Sequence, residues 1–183
     1  MKPVAKMTRA ELAAYIQSHL RGKGIESVLT GGSAVSIFSG EKYVSLDLDF
    51  VITGYPKRSR VLEAMQEIGF RQTGRHFEHP DTALLVEFPG GPLSVGKAQV
   101  SKIDTLQYET GRLQIISPSD CVKDRLVAYY HWGDRQALEQ AIMVIQGNRI
   151  DLSEIAEWSQ AEGKLTEFLK VEPLLREASA NSS

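Results

Sequence analysis

The stretch SLDLDFVI, Ser45 to Ile52, alternates polar and apolar residues over its first six positions. Only an extended strand sorts such a pattern onto two faces. On that strand Leu46, Leu48 and Phe50 point one way, into a core, and Asp47 and Asp49 point the other. The chain must therefore build a sheet that is covered on one side and carries two neighbouring carboxylates on the other. Two such carboxylates repel unless positive charge lies between them. A hard divalent cation with oxygen ligands, Mg²⁺ above all, is the simplest source of that charge. The plainer alternative is a face open to water, on which both aspartates only solubilise the sheet.

What precedes this strand narrows the choice. Ser27 to Thr30 reads as a short strand, Gly31-Gly32 as a turn and Ser33 to Phe38 as a short helix. Glycine lets a ligand approach the backbone, and a helix N-terminus offers N–H groups to phosphate. The Ser33 hydroxyl adds a hydrogen-bonding group at the same place. A tight turn of purely structural purpose would need the same glycines. G-x-G-x-x-G is absent and no G-K-[ST] follows, so this is neither a dinucleotide fingerprint nor a P-loop. Further on, Ala83 to Phe88 is an apolar strand broken by one acid, Glu87. A charge in such a strand calls for a partner or a metal, or else for an edge facing water. Paired beside the Asp47 strand, Glu87 joins the two aspartates on one face.

Thr8-Arg9-Ala10-Glu11 has the form of a capping box, and Leu12, Tyr15, Ile16 and Leu20 follow at helical spacing. This predicts a helix over 9–21. A helix is expected over 57–68, an irregular or hairpin-like stretch over 70–80, and further strands over 95–103 and 113–116. Ser117-Pro118-Ser119-Asp120 then opens a helix. Beyond it the pattern stays helical, with segments over 118–131, 135–146, 152–161 and 164–178 and caps at Asp134 and Asp151. Asn181-Ser182-Ser183 reads as a frayed tail. The expected organisation is an α/β core over 1–116 and a helical region over 117–183.

The single cysteine, Cys121, excludes an internal disulfide and a cysteine-based zinc site. It suits a reducing cytoplasm, which is the expected location. No signal-peptide-like run and no membrane-spanning stretch is expected. A net charge of -2 argues against a protein that coats nucleic acid. The charge is uneven: residues 1–133 carry 16 Lys and Arg against 14 Asp and Glu, and residues 134–183 carry 5 against 9. An anion is expected on the first part.

Strand, Gly-Gly-Ser, helix, strand with Asp-x-Asp and later strand with an acid together resemble the DNA polymerase β-like nucleotidyltransferase superfamily. The resemblance rests on Leu29-Thr30-Gly31-Gly32-Ser33 and Leu46-Asp47-Leu48-Asp49-Phe50, and it covers residues 28–88. The thirteen residues between Ser33 and Asp47 are at the long end of that pattern. The segment SPSDCVKDRLVAYYHWGDRQALEQA is similar to the helical part of small bacterial nucleotidyltransferases, AbiEii-like proteins among them. The resemblance implies an α+β fold, a mixed sheet flanked by helices and followed by a C-terminal helical segment. It implies that Asp47, Asp49 and Glu87 are catalytic and hold two Mg²⁺ ions. It implies that Gly31, Gly32 and Ser33 contact the phosphates of a nucleoside triphosphate, and that Lys123, or else Arg125, helps to hold the triphosphate. Glu87 stands where an aspartate is more usual, and Asp104 is the alternative third acid. The implied reaction moves a nucleoside monophosphate to an acceptor hydroxyl and releases pyrophosphate.

The acceptor expected from the charge split is an RNA end, tRNA foremost, rather than a small drug; a protein is the other expected class. Arg58, Arg60, Arg71 and Arg75 follow soon after the acid strand, and Lys57 adds to them. The rival class is a non-catalytic nucleotide- or RNA-binding regulator of the toxin–antitoxin kind, with a partner protein. The acid pair speaks against it, because carboxylates without metal repel phosphate. A third reading is an interaction module whose acids are surface groups. His76 and His79 have no further ligand nearby and read as loop histidines. Tyr129, Tyr130, His131 and Trp132 read as helix packing, with base stacking as the alternative.

Overall fold

The computed structural model describes residues 2–100 and 102–181. In chain order the elements are α1 (Arg9–Gly22), β1 (Ser27–Thr30), α2 (Gly31–Phe38), β2 (Asp47–Ile52) and α3 (Arg58–Glu67). The hairpin β3 (Arg71–Thr73) and β4 (His76–Glu78) leads to β5 (Leu85–Glu87). A small hairpin, β6 (Ser94–Val95) and β7 (Ala98–Gln99), precedes β8 (Ile103–Tyr108) and β9 (Gly111–Ile116). The helices α4 (Pro118–Trp132), α5 (Arg135–Gly147), α6 (Leu152–Ala161) and α7 (Leu165–Ala180) follow. Among the described residues no helix is long and apolar enough to cross a membrane.

The chain forms two compact units. One comprises the residues up to Ala34 together with Val44–Leu93 and Ile103–Ile116; the other comprises Val35–Tyr43, Ser94–Lys102 and the chain from Ser117 on. The first unit contains a mixed sheet in the order β3-β4-β5-β2-β1-β9-β8. β1 runs antiparallel to β2, while β2 is parallel to β5 and β1 is parallel to β9. The α1 capping box forms as its sequence predicts: Glu11 N donates to Thr8 Oγ1 at 3.3 Å and Thr8 N to Glu11 Oε2 at 2.8 Å. Leu12, Ile16 and Leu20 are then fully buried on one face of α1. Gln17, between them, is also buried, and its amide donates to Ser27 O at 3.0 Å and Gln114 O at 2.9 Å, tying α1 to β1 and β9. Leu29, Leu48, Phe50, Val86 and Ile115 fill the sheet's core.

Two expectations need correction here. Leu46 does not join Leu48 and Phe50 in the core but is 60% exposed. The strand opens only at Asp47, and Leu46 contributes its carbonyl, which accepts from Leu85 N at 2.8 Å. The strand expected over 95–103 is instead the β6–β7 hairpin, and β8 begins where that strand was to end. Its turn is held by Glu162, whose Oε1 accepts from Lys97 N at 2.7 Å. Ser101 of that stretch lies outside the described residues, as do Ser182 and Ser183 of the expected tail; Asn181 is the C-cap of α7.

The second unit is built on the helices the sequence predicts. Ser117, Asp134 and Asp151 cap α4, α5 and α6 through backbone N–H groups at 3.1, 3.1 and 2.9 Å. Cys121, Val122, Leu126, Val144, Ile155, Phe168 and Leu175 are buried in it. Tyr130 stacks on Trp158 with centroids 6.1 Å apart, and its hydroxyl meets Ser159 Oγ at 3.0 Å. Tyr130 is thus a packing residue, whereas Trp132 is 77% exposed.

Candidate active site

The site is built at the end of the sheet where β1 turns into α2. Thr30, the last residue of β1, is paired across the sheet with Asp49. Gly31 then reverses the chain with φ +64°, a conformation in which a side chain is strained. A Cβ on Gly31 would collide with the Asp49 carboxylate, lying 3.1 Å from its Cγ and closer still to Oδ2. Asp49 therefore occupies the space that the missing side chain leaves, and the glycine and the acid define one feature rather than two.

The register across the sheet gathers the acids. Asp47 and Asp49 are two residues apart on β2 and share a face. In the parallel pair β2–β5, Asp47 stands beside Leu85 and Asp49 beside Glu87. Glu87 is thereby a lateral neighbour of Asp49 on the same face. His76 on β4 continues the row beside Glu87, and Thr73 on β3 ends it. Asp104, the alternative third acid, lies on β8, separated from β2 by β1 and β9. Glu87 Oε1 is 3.3 Å from Arg75 Nε. Among the described residues no three His, Cys, Asp or Glu side chains are gathered closely enough to hold a metal as they stand.

Ser33 is placed differently from its expected role. It is fully buried, and its hydroxyl donates to the Asp47 carbonyl oxygen. The hydroxyl expected on a phosphate instead fastens α2 to β2. Arg9, which sequence reasoning passed over as part of the capping box, completes this anchorage. It is buried, and its Nη1 donates to Ser45 O and lies 3.4 Å from Ser33 Oγ. Ser45 Oγ in turn accepts from Asp47 N at 3.2 Å, and Thr30 Oγ1 donates to Asp49 O at 3.3 Å. The backbone of both aspartates is thus held by hydroxyl groups while their side chains lie on the polar face.

The basic residues divide. Arg60 donates to Lys23 O at 2.6 Å, where α1 ends, and Glu26 O accepts from Thr53 N at 3.0 Å. That is the end of β2 away from Asp47, about 17 Å along the strand at about 3.4 Å per residue. Arg60, and Arg58 on the same helix, thus do not border the carboxylates as expected. Arg75 does, and Arg71 stands opposite Glu78 in the register of β3 and β4. In the second unit Lys123 is 9% exposed, with Nζ 3.4 Å from Asp120 Oδ1 and 2.5 Å from Glu154 Oε1. Arg125 pairs with Asp124 and donates to Gln140 Oε1 at 3.1 Å. His76 faces Glu78 at 2.9 Å, and His79 packs on Phe70 with centroids 5.0 Å apart.

No protein-family model matches this sequence, and no curated protein matches it. Solved structures do. An antigenic nucleotidyltransferase-like protein from Paracoccidioides brasiliensis matches with a TM-score of 0.68 at 14% identity, over 99% of this chain and 96% of that chain. The solution structure of the antibiotic-resistance factor ANT(2'')-Ia matches with a TM-score of 0.50 at 13% identity, over 89% of this chain and 92% of that chain. ANT(2'')-Ia in complex with adenylyl-2''-tobramycin matches with a TM-score of 0.56 at 11% identity, over 85% and 97%. At these identities the likeness is one of fold. The chain has a nucleotidyltransferase-like α+β fold, in which a mixed sheet is accompanied by helices.

Proposed function

We propose that the chain is a divalent-metal-dependent nucleotidyltransferase. The observation that carries this reading is the register that sets Glu87 beside Asp49, two residues from Asp47, next to the Gly31 turn. The donors are of the kind a hard cation takes, three carboxylates on neighbouring strands, and their side chains would have to draw together around it. The close approach of Gly31 to Asp49 fits it too, because any side chain there would push the carboxylate out of the row. Two Mg²⁺ ions on Asp47, Asp49 and Glu87 would supply charge neutralisation at the α-phosphate and activation of the acceptor hydroxyl.

The rest falls to the chain itself. Gly31 makes room for Asp49, and Gly32 lets phosphate approach the backbone at the N-terminus of α2. Ser33, Ser45 and Arg9 fix β2 against that turn, so the carboxylates keep their places. Glu87 takes the proton of the acceptor hydroxyl. The acceptor oxygen bonds to the α-phosphorus, and pyrophosphate leaves with the broken bond's electrons. Lys123 is engaged within the second unit by Asp120 and Glu154, and no part of the reaction is assigned to it. With Arg58 and Arg60 at the other end of β2, the case for an RNA acceptor narrows to Arg71 and Arg75. A small-molecule hydroxyl joins RNA and protein as an acceptor class, since ANT(2'')-Ia was captured with adenylyl-2''-tobramycin.

The test is incubation with Mg²⁺, each labelled nucleoside triphosphate and a cell lysate. Label is expected in one acceptor fraction, and not with Asp49→Asn. Label in no fraction, or equal label with Asp49→Asn, would sink the reading. The second reading, a nucleotide-binding regulator with a partner protein, is favoured by the Arg75–Glu87 pair, which neutralises one acid without metal. It predicts nucleotide binding that is indifferent to Mg²⁺.

A further inference from the structure

We propose that Arg75 is the counter-cation of Glu87 in the metal-free protein, that a divalent cation displaces it, and that its guanidinium then takes a phosphate of the bound substrate. The proposal rests on the metal-dependent reading given above. Asp49 and Glu87 stand side by side at the strand spacing of about 4.8 Å, both acidic and on one face. Their repulsion is relieved on the Glu87 side by Arg75 Nε, 3.3 Å from Oε1.

The two partners are unequal. Glu87 is fixed in β5, with a side chain 24% exposed, whereas Arg75 sits on the β3–β4 turn with a side chain 87% exposed. The anion belongs to the site, and the cation is an arm in water. A pair so exposed contributes little and pays for itself only while nothing better arrives. A doubly charged ion that also meets Asp49 is better. His76, the neighbour of Glu87 on β4, is turned to Glu78 at 2.9 Å and leaves this side of Glu87 to Arg75. Once displaced, the guanidinium remains tethered by the hairpin at the edge of the carboxylate row. Its planar fork suits a phosphate better than a lysine would. The same side chain thus guards the third acid in the empty site and serves the substrate in the loaded one.

The experiment is Mn²⁺ titration followed by electron paramagnetic resonance, without nucleotide, on the parent, Arg75→Ala, Arg75→Lys and Asp49→Asn. Melting temperatures serve as a check that the exposed turn tolerates each change. Arg75→Ala is expected to bind Mn²⁺ about two- to fivefold more tightly than the parent at low salt, with the difference fading as salt rises. Arg75→Lys should fall between them. With Mn²⁺ saturating, ATP and a short RNA are titrated separately. Arg75→Ala should weaken one of them several-fold, which tells a nucleotide phosphate from an acceptor phosphate. Equal Mn²⁺ affinity in Arg75→Ala and the parent, with Asp49→Asn still defective, overturns the exchange and leaves the metal site standing. Unchanged affinity for both ATP and RNA overturns the second role of the guanidinium. A parent that binds no Mn²⁺, or an Asp49→Asn variant that binds it equally, overturns the exchange together with the reading beneath it.

Discussion

Gly31 carries two constraints on one carbon atom: a positive φ and the Asp49 carboxylate where a Cβ would sit. Gly31→Ala should therefore cost about 1 kcal/mol or more from backbone conformation alone, and should also push Asp49 out of register with Glu87. The expected outcome is a melting temperature lower by a few degrees together with weakened Mn²⁺ binding. Gly22→Ala, at the end of α1 where an added Cβ meets nothing within 4 Å, is the contrast: Mn²⁺ binding should be unchanged and the melting temperature unchanged or raised. Parent-like Mn²⁺ affinity in Gly31→Ala would detach the glycine from the site. The acids themselves behave in the opposite way. Asp47→Asn removes one of two repelling charges, so thermal scans without metal should show a melting temperature unchanged or raised. Nucleotide transfer in the presence of Mg²⁺ should be lost in the same protein. Transfer at the parent's rate would remove Asp47 from the metal site.

Strand β2 is held to α2 by the Asp47 carbonyl, which accepts from the buried Ser33 hydroxyl. Ser33→Ala leaves the Asp47 carbonyl without that donor, which should cost about 1 kcal/mol and lower the melting temperature by about 2–4 °C. Weakened nucleotide binding without any loss of stability would instead restore the phosphate role expected of this hydroxyl. That expectation shows where sequence reasoning stops. Helices and their caps were legible because Thr8 with Glu11, and Ser117 with Asp120, interact within one turn. The strand of Asp47 and Asp49 was legible from its period of two. Ser33 was not, because its partner is a backbone carbonyl 14 residues away that has no sequence signature. The same holds for Arg9 and Ser45 O at 36 residues, and for Glu162 and Lys97 N at 65. Glu87 was legible only conditionally: its strand could be read, but the neighbour it joined was a matter of topology. Arg60 looked like part of a basic border until α3 placed it against the end of α1.

Across the whole molecule, stability against pH has two unlike limbs. On the acid side, Lys2 holds Glu11, Lys23 holds Glu67 and Lys164 holds Glu167 below the ordinary carboxylate value. A depressed pKa gives stability that is present above the unfolded value, near 4.5, and lost as pH falls through the folded one. All three pairs are partly exposed and screened by water, so this limb is shallow. The alkaline limb belongs mainly to α4, in the second unit, with the Tyr108 phenol on β8, also raised by burial, adding to it. Burial foremost, with Asp124 adding to it, pushes the Cys121 thiol far up. Burial likewise pushes the Tyr130 phenol up to about 12, against the smaller opposing effect of its bond to Ser159. Both folded values are raised, so the unfolded chain ionises first and folding has to keep these groups protonated. Their contribution is whole below the unfolded values, 9.0 for the thiol and 10.0 for the phenol, and drains away as pH climbs from there toward the folded ones. Melting temperature is therefore expected to fall steadily from about pH 9 upward, and more steeply than it falls on the acid side below about pH 4.5. Tyr130→Phe separates the two groups. It should start lower at neutral pH, because Ser159 loses its partner, but fall less than the parent above about pH 10. Urea melts of both proteins between about pH 8 and pH 11 measure this directly. A parent whose stability stays flat over that range, or a Tyr130→Phe variant that falls in parallel with it, would show that the phenol does not carry the alkaline limb.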